Sequence, residues 1–271
     1  MVFFGVVTVT VTMRVLLTTG AVFLTTVVIE RDVGACSCAG PETALLTPDR
    51  VDDAPLDAKV RVEMAASSRS TPAAVLLRVH GRTTPVAVST RVIAPGGWSS
   101  FLELTPTAAL EPDTRYEVAT VDAGAVPPTR VFGTFRTGRA KDTTAPRIDA
   151  MGPAIAYKNA NAMGGMCTVP GPWVTVEGIV SEDPGRRDAQ LLFAVWLGDA
   201  NGAIDTKRPP TSLERVREGH LEIGQTSLCD PHAFPFPKTP FVWLGVAALD
   251  ESGNASAVRR LRVDLAGARQ R

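Results

Sequence analysis

The chain has 271 residues, and its 28 basic and 28 acidic side chains give a formal net charge of zero. A neutral chain without a basic run lacks the electrostatic footprint of a nucleic-acid-binding protein. With only three histidines, a multi-histidine metal centre is also disfavoured. Aromatic residues make up 6% of the chain, and the length suits two ordinary domains. We therefore expect an all-β protein whose cores are built mainly from β-branched residues.

The N-terminal segment is strongly apolar, and Arg14 is the one charged residue in residues 1–29. If Met13 is the true start, Met13-Arg14 supplies a charged start, residues 15–29 an apolar stretch, and Val33-Gly34-Ala35 a small-residue cleavage site. This pattern predicts a signal peptide over residues 1–35. An uncleaved membrane anchor is the alternative, since 29 mostly apolar residues can span a bilayer. Both interpretations predict export.

Cys36 follows the cleavage site directly. Val33-Gly34-Ala35-Cys36 resembles a bacterial lipoprotein box, so Cys36 is a lipidation candidate that would tether the protein to the outer membrane. The charged Glu30-Arg31-Asp32 segment before the box is unusual for a lipoprotein, and ordinary cleavage would give a periplasmic or secreted protein. Cys36 and Cys38 could also chelate a soft metal, but a closed zinc site needs four ligands and none is nearby.

The first half of the chain contains short alternating runs of apolar and polar residues. Their spacing predicts strands over residues 55–62, 74–80, 86–93 and 98–104, without a helical pattern between them. In the first of these runs, four small or aliphatic side chains share one face: Leu56, Ala58, Val60 and Val62. Such runs predict an antiparallel β-sandwich.

A family resemblance follows from the landmarks Leu104-Thr-Pro106, Leu110-x-Pro-x-Thr-x-Tyr116-x-Val and Phe132-x-Thr-Phe-x-Thr137. Their order resembles the bacterial immunoglobulin-like domain of surface-layer and other cell-envelope proteins, over about residues 45–138. The resemblance implies a β-sandwich domain over residues 36–138. It also implies that Tyr116 lies near a strand start at a corner, with its ring in the core and its hydroxyl bonded to backbone. The resemblance implies no active-site residue in this chain.

The second half begins after an extended linker over residues 139–146, where Pro146 disfavours helical angles in its neighbour. We assign residues 147–271 to a second, divergent sandwich of the immunoglobulin or fibronectin type. Its predicted strands are 173–180, 190–197, 220–223, 241–249 and 255–263. The last two form a hairpin around Asp250-Glu-Ser-Gly-Asn254, whose Gly-Asn pair suits a tight turn.

Cys167 and Cys229 are a disulfide candidate, because two distant cysteines in an exported protein commonly pair. Closing a loop of about 60 residues would contribute about 4 kcal/mol. Two unrelated buried thiols are the alternative. Cys229, Asp230 and His232 place a thiol, a carboxylate and an imidazole close in sequence. Sequence neighbours rarely supply catalytic geometry, so we predict no catalytic residue and no enzyme activity.

Two acidic segments offer oxygen ligands. Asp199-Ala-Asn-Gly-Ala-Ile-Asp205 departs from a calcium loop because its glycine is fourth and Pro210 stands at position twelve, so a turn is expected. Asp250, Glu251 and Asn254 could hold an ion at a domain tip, but a solvated hairpin is the default expectation. We therefore predict no metal site and no cofactor.

Two groups of aromatic residues could form a binding surface. Phe234 and Phe236, separated by prolines, either cap the second core or face a partner. The predicted loop over residues 198–223 is long enough to carry binding function. Three tryptophans would indicate sugar binding if exposed on one flat face and core packing if buried: Trp173, Trp196 and Trp243.

The sequence thus favours a non-enzymatic, exported cell-envelope protein acting as an adhesion, scaffold or binding module. Its partners would be a cell-surface protein or polysaccharide; nucleic acid is not expected, and membrane contact would be limited to the N-terminal anchor or lipid. The alternatives are a carbohydrate- or calcium-dependent binding module, or an exported hydrolase or enzyme accessory with a site in residues 198–240. Clustering of Asp199, Asp205, Asp230 and His232 in one cleft would favour the enzyme.

Overall fold

The computed structural model describes residues 43–65, 74–95, 99–121, 129–158, 171–184, 190–224 and 234–270. Within these ranges the regular structure is made of strands, which confirms the all-β prediction. Among the same residues, no helix has the length and apolarity needed to cross a membrane. The predicted signal peptide, Cys36, Cys38 and the candidate pair Cys167 and Cys229 lie outside the described residues.

The first sandwich consists of two antiparallel sheets. One has the order β1-β2-β5-β4, with strands β1 (Ala44–Thr47), β2 (Val60–Ala65), β4 (Val88–Pro95) and β5 (Ser99–Pro106). The other has the order β3-β6-β7, with strands β3 (Ala74–Val79), β6 (Arg115–Val121) and β7 (Thr129–Arg136). Alternate side chains of these strands meet in one core, which includes Val60, Val62, Leu77, Leu104, Val118 and Phe135.

The second sandwich has the sheets β13-β12-β16-β17 and β14-β15-β10-β9-β18, with a two-stranded sheet β11-β8 beside them. Strand β18 pairs with β9 in parallel, and the other pairs are antiparallel. The strand bounds are β8 (Arg147–Ala150), β9 (Ala154–Lys158), β10 (Trp173–Val176), β11 (Val180–Glu182), β12 (Leu192–Leu197), β13 (Ser212–Glu214), β14 (Val216–Arg217), β15 (His220–Ile223), β16 (Phe241–Leu249), β17 (Arg259–Asp264) and β18 (Arg269–Gln270).

The two sandwiches share a hydrophobic cluster, because one sheet of each contains strands with buried apolar side chains on both faces. In β12, Phe193 and Val195 point into the core of the second sandwich. The intervening side chains of β12 pack instead against the first sandwich, in a cluster made of Leu46, Ile93, Phe101, Leu192, Ala194, Trp196, Leu213 and Ala247. The period-2 alternation of a strand therefore places apolar side chains on both sides of the sheet.

The corner at Tyr116 matches what the family resemblance implies. Tyr116 is the second residue of β6, and its buried ring stacks on Phe135 with 5.4 Å between ring centroids. Its hydroxyl oxygen accepts a hydrogen bond from the backbone N–H of Glu111 at 2.8 Å. Thr137 binds the same turn, since its hydroxyl donates to the Glu111 carbonyl at 2.6 Å. These bonds fix the chain where it enters β6.

One predicted strand, residues 173–180, is broken in two. Strand β10 ends at Val176, and Gly178 takes a positive φ of 62°, which side-chain-bearing residues rarely adopt. The chain then continues as β11, which pairs with β8 in a different sheet. The alternating pattern does not reveal this break, because the residues on both sides of it still suit a strand.

Candidate functional site at the junction of the two sandwiches

The loop between β16 and β17 lies against the first sandwich. Asp250 and Glu251 are fully buried at 0% exposure, so the prediction of a solvated hairpin tip is wrong. The backbone N–H of Lys59 donates to the Glu251 carbonyl at 2.7 Å, and the Ser252 hydroxyl donates to Asp57 Oδ1 at 2.8 Å. These two polar groups of the loop therefore bond to the first sandwich rather than to solvent.

Arg61 is the buried cation of the junction. It lies on β2 with 1% exposure, and its Nε donates to Glu103 Oε2 at 3.1 Å. Its Nη1 donates to the backbone carbonyl of Asp250 at 2.6 Å, across the junction. Burial pushes the pKa of Arg61 down and Glu103 pushes it up, and the net pKa lies below the ordinary value. The guanidinium thus links β2 to the end of β16.

A cluster of three buried carboxylates lies beside this loop. Asp142 comes from the linker, Asp183 follows β11, and Asp250 follows β16. One carboxylate oxygen from each residue lies within 4.8 Å of the other two, and the exposures of the three residues are 7%, 6% and 0%. We call Asp142, Asp183 and Asp250 the acidic cluster.

Hydrogen bonds satisfy the acidic cluster only in part. Asp250 Oδ1 accepts from the backbone N–H groups of Gly253 at 2.6 Å and Asn254 at 2.8 Å, and Asp250 Oδ2 accepts from Asn254 Nδ2 at 2.8 Å. Asp142 Oδ1 accepts from the Thr144 N–H at 2.9 Å. Asp142 Oδ2 is buried and accepts no hydrogen bond from the described residues.

Burial and mutual repulsion make it unfavourable for all three carboxyl groups of the acidic cluster to be ionised at once. Burial raises the pKa of the Asp250 carboxyl above its ordinary value, and the charge of Asp142 raises it further. Hydrogen bonds donated by Asn254 and Gly253 oppose this rise without reversing it. The all-oxygen character of the cluster suits a hard cation rather than a soft transition metal.

The carboxylates proposed from the sequence for a calcium loop are engaged within their own loop. Asp199 Oδ1 accepts from the N–H groups of Asn201 at 2.9 Å and Ala203 at 2.8 Å. Asp205 accepts from the Lys207 N–H at 3.1 Å and pairs with Arg208. This is a hydrogen-bonded turn, as the sequence predicts. Asp230 and His232, the remaining residues of the cleft hypothesis, lie outside the described residues.

The structure places Phe234 and Phe236 on the core of the second sandwich. Phe234 is buried, Phe236 packs beside it, and their ring centroids are 4.6 Å apart. This is the core-capping arrangement rather than a surface that faces a partner.

The three tryptophans do not form one flat exposed face. Trp173 and Trp196 are buried at 3% and 9% exposure, and the guanidinium of Arg260 lies 5.2 Å from the ring centroid of the half-buried Trp243. Burial makes Trp173 and Trp196 core residues.

Sequence reasoning missed the junction, although one signal for it was present. Residues 191–197 read Leu-Leu-Phe-Ala-Val-Trp-Leu without a polar interruption, which is typical of a strand buried on both faces. No local pattern identified the acidic cluster, because its three aspartates come from separate segments. Asp142 stands in a stretch whose composition suits a simple linker.

Comparison with known proteins adds only distant likenesses. No family model and no curated protein matches the chain. Solved structures with similar folds include fibronectin(III)-like modules of Clostridium thermocellum CbhA, at 10% identity and a TM-score of 0.26, covering 84% of this chain and 95% of that one. The tandem Ig repeats of Dlar match at 14% identity and a TM-score of 0.30, and the match covers 83% of this chain and 99% of that one. The N-terminal Ig1-2 module of the Drosophila receptor protein tyrosine phosphatase DLAR matches at 12% identity and a TM-score of 0.29. That match covers 83% of this chain and 100% of the module. Because identities and TM-scores are low, we infer nothing about activity or partners from them.

Proposed function

We propose that this chain is a non-enzymatic, exported cell-envelope protein whose two sandwiches act as one rigid scaffold or binding module. The expectation of a surface-layer type of immunoglobulin-like domain and of export comes from the sequence. The structure contributes the reason for rigidity. The observation that carries the proposal is the hydrophobic cluster shared by the two sandwiches, from Leu46 and Phe101 on one side to Ala194 and Trp196 on the other.

Interfaces between domains of one chain usually resemble transient, polar protein interfaces, and relative motion is then the default. This junction differs because it combines apolar burial with direct hydrogen bonds, one of which is buried. Arg61 binds the Asp250 carbonyl, and Arg215 of the second sandwich donates to the Leu46 carbonyl of the first. A joint of this kind suits a spacer or platform that holds a surface protein or polysaccharide partner in a fixed direction.

A sugar-binding module receives less support, because Trp173 and Trp196 are buried in the protein. The hydrolase alternative, with a site in residues 198–240, receives no specific support. Asp199 and Asp205 bond within their own turn, and Asp230 and His232 lie outside the described residues.

Calorimetric unfolding of the full-length chain tests the rigid unit. We expect one cooperative transition for the wild type, and two separable transitions for Ala194→Arg, since Ala194 is fully buried in the shared cluster rather than in either sandwich core. The matched control is Val131→Arg, which places the same side chain at a position with 40% exposure on β7. Two transitions in the wild type, or an equal effect of both variants, would overturn the rigid-unit proposal.

Export is tested separately by the intact mass of the protein recovered from envelope and medium fractions. A mature chain that starts at Cys36 with added acyl mass would establish a tethered lipoprotein, and an unmodified start would establish a secreted or periplasmic form. Recovery of the unprocessed chain from the cytoplasm alone would overturn export.

A further inference from the structure

The acidic cluster concentrates negative charge in the protein interior. Burying an ionised carboxylate costs free energy unless a counter-charge or hydrogen-bond donors compensate for it. Among the described residues, no Lys, Arg or His side chain forms an ion pair with Asp142 or Asp250. Arg61 is near, but it donates to the backbone carbonyl of Asp250 and pairs with Glu103. Protein groups in the described part of the chain thus give these two carboxylates hydrogen bonds but no ion-pair partner.

Asp142 supplies an independent sign of a missing partner. Asp142 is only 7% exposed, so the residue is more than nine-tenths buried. Its Oδ2 is buried and accepts no hydrogen bond from the described residues. The residue is also held in place on both sides. Its N–H donates to Asp57 Oδ1 at 3.1 Å, and its carbonyl accepts from Asn254 Nδ2 at 3.0 Å. A buried carboxylate oxygen without a hydrogen-bond donor, on a fixed residue whose carboxylate lies close to two others, indicates a site for a cation.

The ligand chemistry favours a hard cation with flexible coordination. One carboxylate oxygen from each aspartate lies within 4.8 Å of the others, which is compatible with three ligands of one Ca²⁺ at about 2.3–2.6 Å. Mg²⁺ requires near-ideal octahedral geometry and usually keeps several waters, so ligands supplied by three separate segments suit Ca²⁺ better. Soft metals prefer sulfur and nitrogen ligands, and the cluster offers only oxygen.

We propose that Asp142, Asp183 and Asp250 bind one Ca²⁺ at the junction of the two sandwiches. The three carboxylates supply part of the six to eight oxygen ligands that Ca²⁺ takes, and backbone carbonyls and water complete the set. The ion joins the linker, the end of β11 and the β16–β17 loop. Because that loop contacts Lys59 and Asp57, bound Ca²⁺ stabilises the junction as well as the second sandwich. The site is separate from the Asp199–Asp205 turn.

Thermal unfolding of the full-length chain in EDTA, CaCl₂ or MgCl₂ tests the site. For an affinity of about 10⁻⁴ to 10⁻³ M, about 10 mM CaCl₂ raises the ratio of folded to unfolded protein roughly 10- to 100-fold. This corresponds to a rise in the melting temperature of about 3–10 °C for a chain of this size. Equal MgCl₂ should give a clearly smaller rise.

Asp142→Asn is the informative variant, and Asp199→Asn is its matched control on an exposed turn. In CaCl₂, Asp142→Asn should lose the calcium-dependent rise, and Asp199→Asn should keep it. In EDTA, Asp142→Asn should melt at or above the wild-type temperature, because it removes one of the repelling charges. A purely structural role for Asp142 would instead lower the melting temperature of the variant equally in EDTA and in CaCl₂, and this result would contradict the proposal.

Calorimetric titration of the wild type with CaCl₂ provides a readout that does not depend on any variant. We expect saturation at one Ca²⁺ per chain through these aspartates. Absence of saturable binding, or a stoichiometric site that survives in Asp142→Asn, would overturn the inference. Neither result bears on the Ala194→Arg test, so the cation site and the rigid scaffold can fail separately.

Discussion

The side-chain amide of Gln190 binds both backbone polar groups of Asp49. Gln190 Oε1 accepts from the Asp49 N–H at 2.8 Å, and Gln190 Nε2 donates to the Asp49 carbonyl at 2.7 Å. Asp49 lies just after β1, and Gln190 lies just before β12, so this pair joins the first sandwich to the second. The backbone N–H of Gln190 in turn donates to Glu251 Oε1 at 2.9 Å. One side chain therefore reproduces, across the junction, the paired bonds of two neighbouring strands.

Replacement of this amide by a carboxylate should weaken the junction. Gln190→Glu keeps the size of the side chain but removes the donor to the Asp49 carbonyl, and we expect a loss of about 1–3 kcal/mol in the free energy of unfolding. Denaturant unfolding measures this loss. Gln270→Glu on the exposed strand β18 is the control, and it should change stability by less than about 0.5 kcal/mol. Equal effects at both positions would contradict the role assigned to Gln190.

The two arginines bound to Glu103 form a natural comparison between a buried and an exposed ion pair. Arg61 has 1% side-chain exposure, whereas Arg91 has 68% and pairs with Glu103 at 2.8 Å. We expect Arg61→Met to cost about 3–5 kcal/mol, because it removes the buried partner of Glu103 and the donor to the Asp250 carbonyl. Arg91→Met should cost less than about 1 kcal/mol. Chemical denaturation of both variants decides the comparison, and a larger loss for Arg91→Met would refute it.

The corner before β6 should show coupling between two hydroxyl groups. Tyr116→Phe removes the acceptor for the Glu111 N–H, and we expect it to cost about 1 kcal/mol. Thr137→Val removes a buried hydroxyl that donates to the Glu111 carbonyl and accepts from the Thr114 N–H at 3.0 Å, and we expect a loss of about 1–3 kcal/mol.

Since Tyr116 and Thr137 both hold the turn that contains Glu111, the effects of the two substitutions should not be additive. The double variant should deviate from the sum of the single losses by about 0.5 kcal/mol or more in a double-mutant cycle. Simple additivity would show that the two hydroxyl groups act independently.

Glu117 should contribute to the acid sensitivity of the first sandwich. Burial raises the pKa of Glu117, but hydrogen bonds from His80 at 2.6 Å and Arg78 at 2.8 Å lower it more, and the net pKa lies below the reference value of 4.5. A depressed carboxyl pKa contributes stability above the unfolded-state pKa, and this contribution disappears as pH falls through the folded-state pKa.

Glu117→Gln should therefore lower stability at pH values above about 5 and have a shrinking effect as the pH falls towards about 3. Urea unfolding of wild type and variant at stepped pH measures the difference. A difference that stays constant, or that grows on acidification, would show that the charge of Glu117 does not supply the stabilisation.

The sequence predicted the longer strands of both sandwiches, because each of these strands carries its own pattern, and it missed short strands such as β13 and β14. Apolar side chains alternate with polar ones, or form an unbroken run between turn residues, in segments 74–79 and 241–249. These segments form β3 and β16 close to the expected bounds. The Tyr116 corner was also accessible, because the tyrosine, its turn and its strand lie within a few residues of one another.

The candidate site was not accessible in the same way. A polar segment such as Asp250-Glu-Ser-Gly-Asn254 has the same composition whether its partner is water or another sandwich, so the sequence favoured the commoner solvated state. Periodicity reports which face of a strand is apolar, and it does not report what packs on that face. The acidic cluster depends on contacts between three distant segments, and only the folded arrangement brings them together.

The hydrogen bonds of the linker limit which second domain could replace the present one during evolution. The Leu56 N–H donates to the Ala140 carbonyl at 2.9 Å, and Asn254 Nδ2 donates to the Asp142 carbonyl at 3.0 Å, so the linker is bound by residues from both sides. Arrays of immunoglobulin-like modules joined by loose connectors tolerate the exchange of one unit for another. Here a foreign second module would have to supply its own equivalents of Asn254 and Gln190. The two sandwiches should therefore be inherited, duplicated and recombined as a pair.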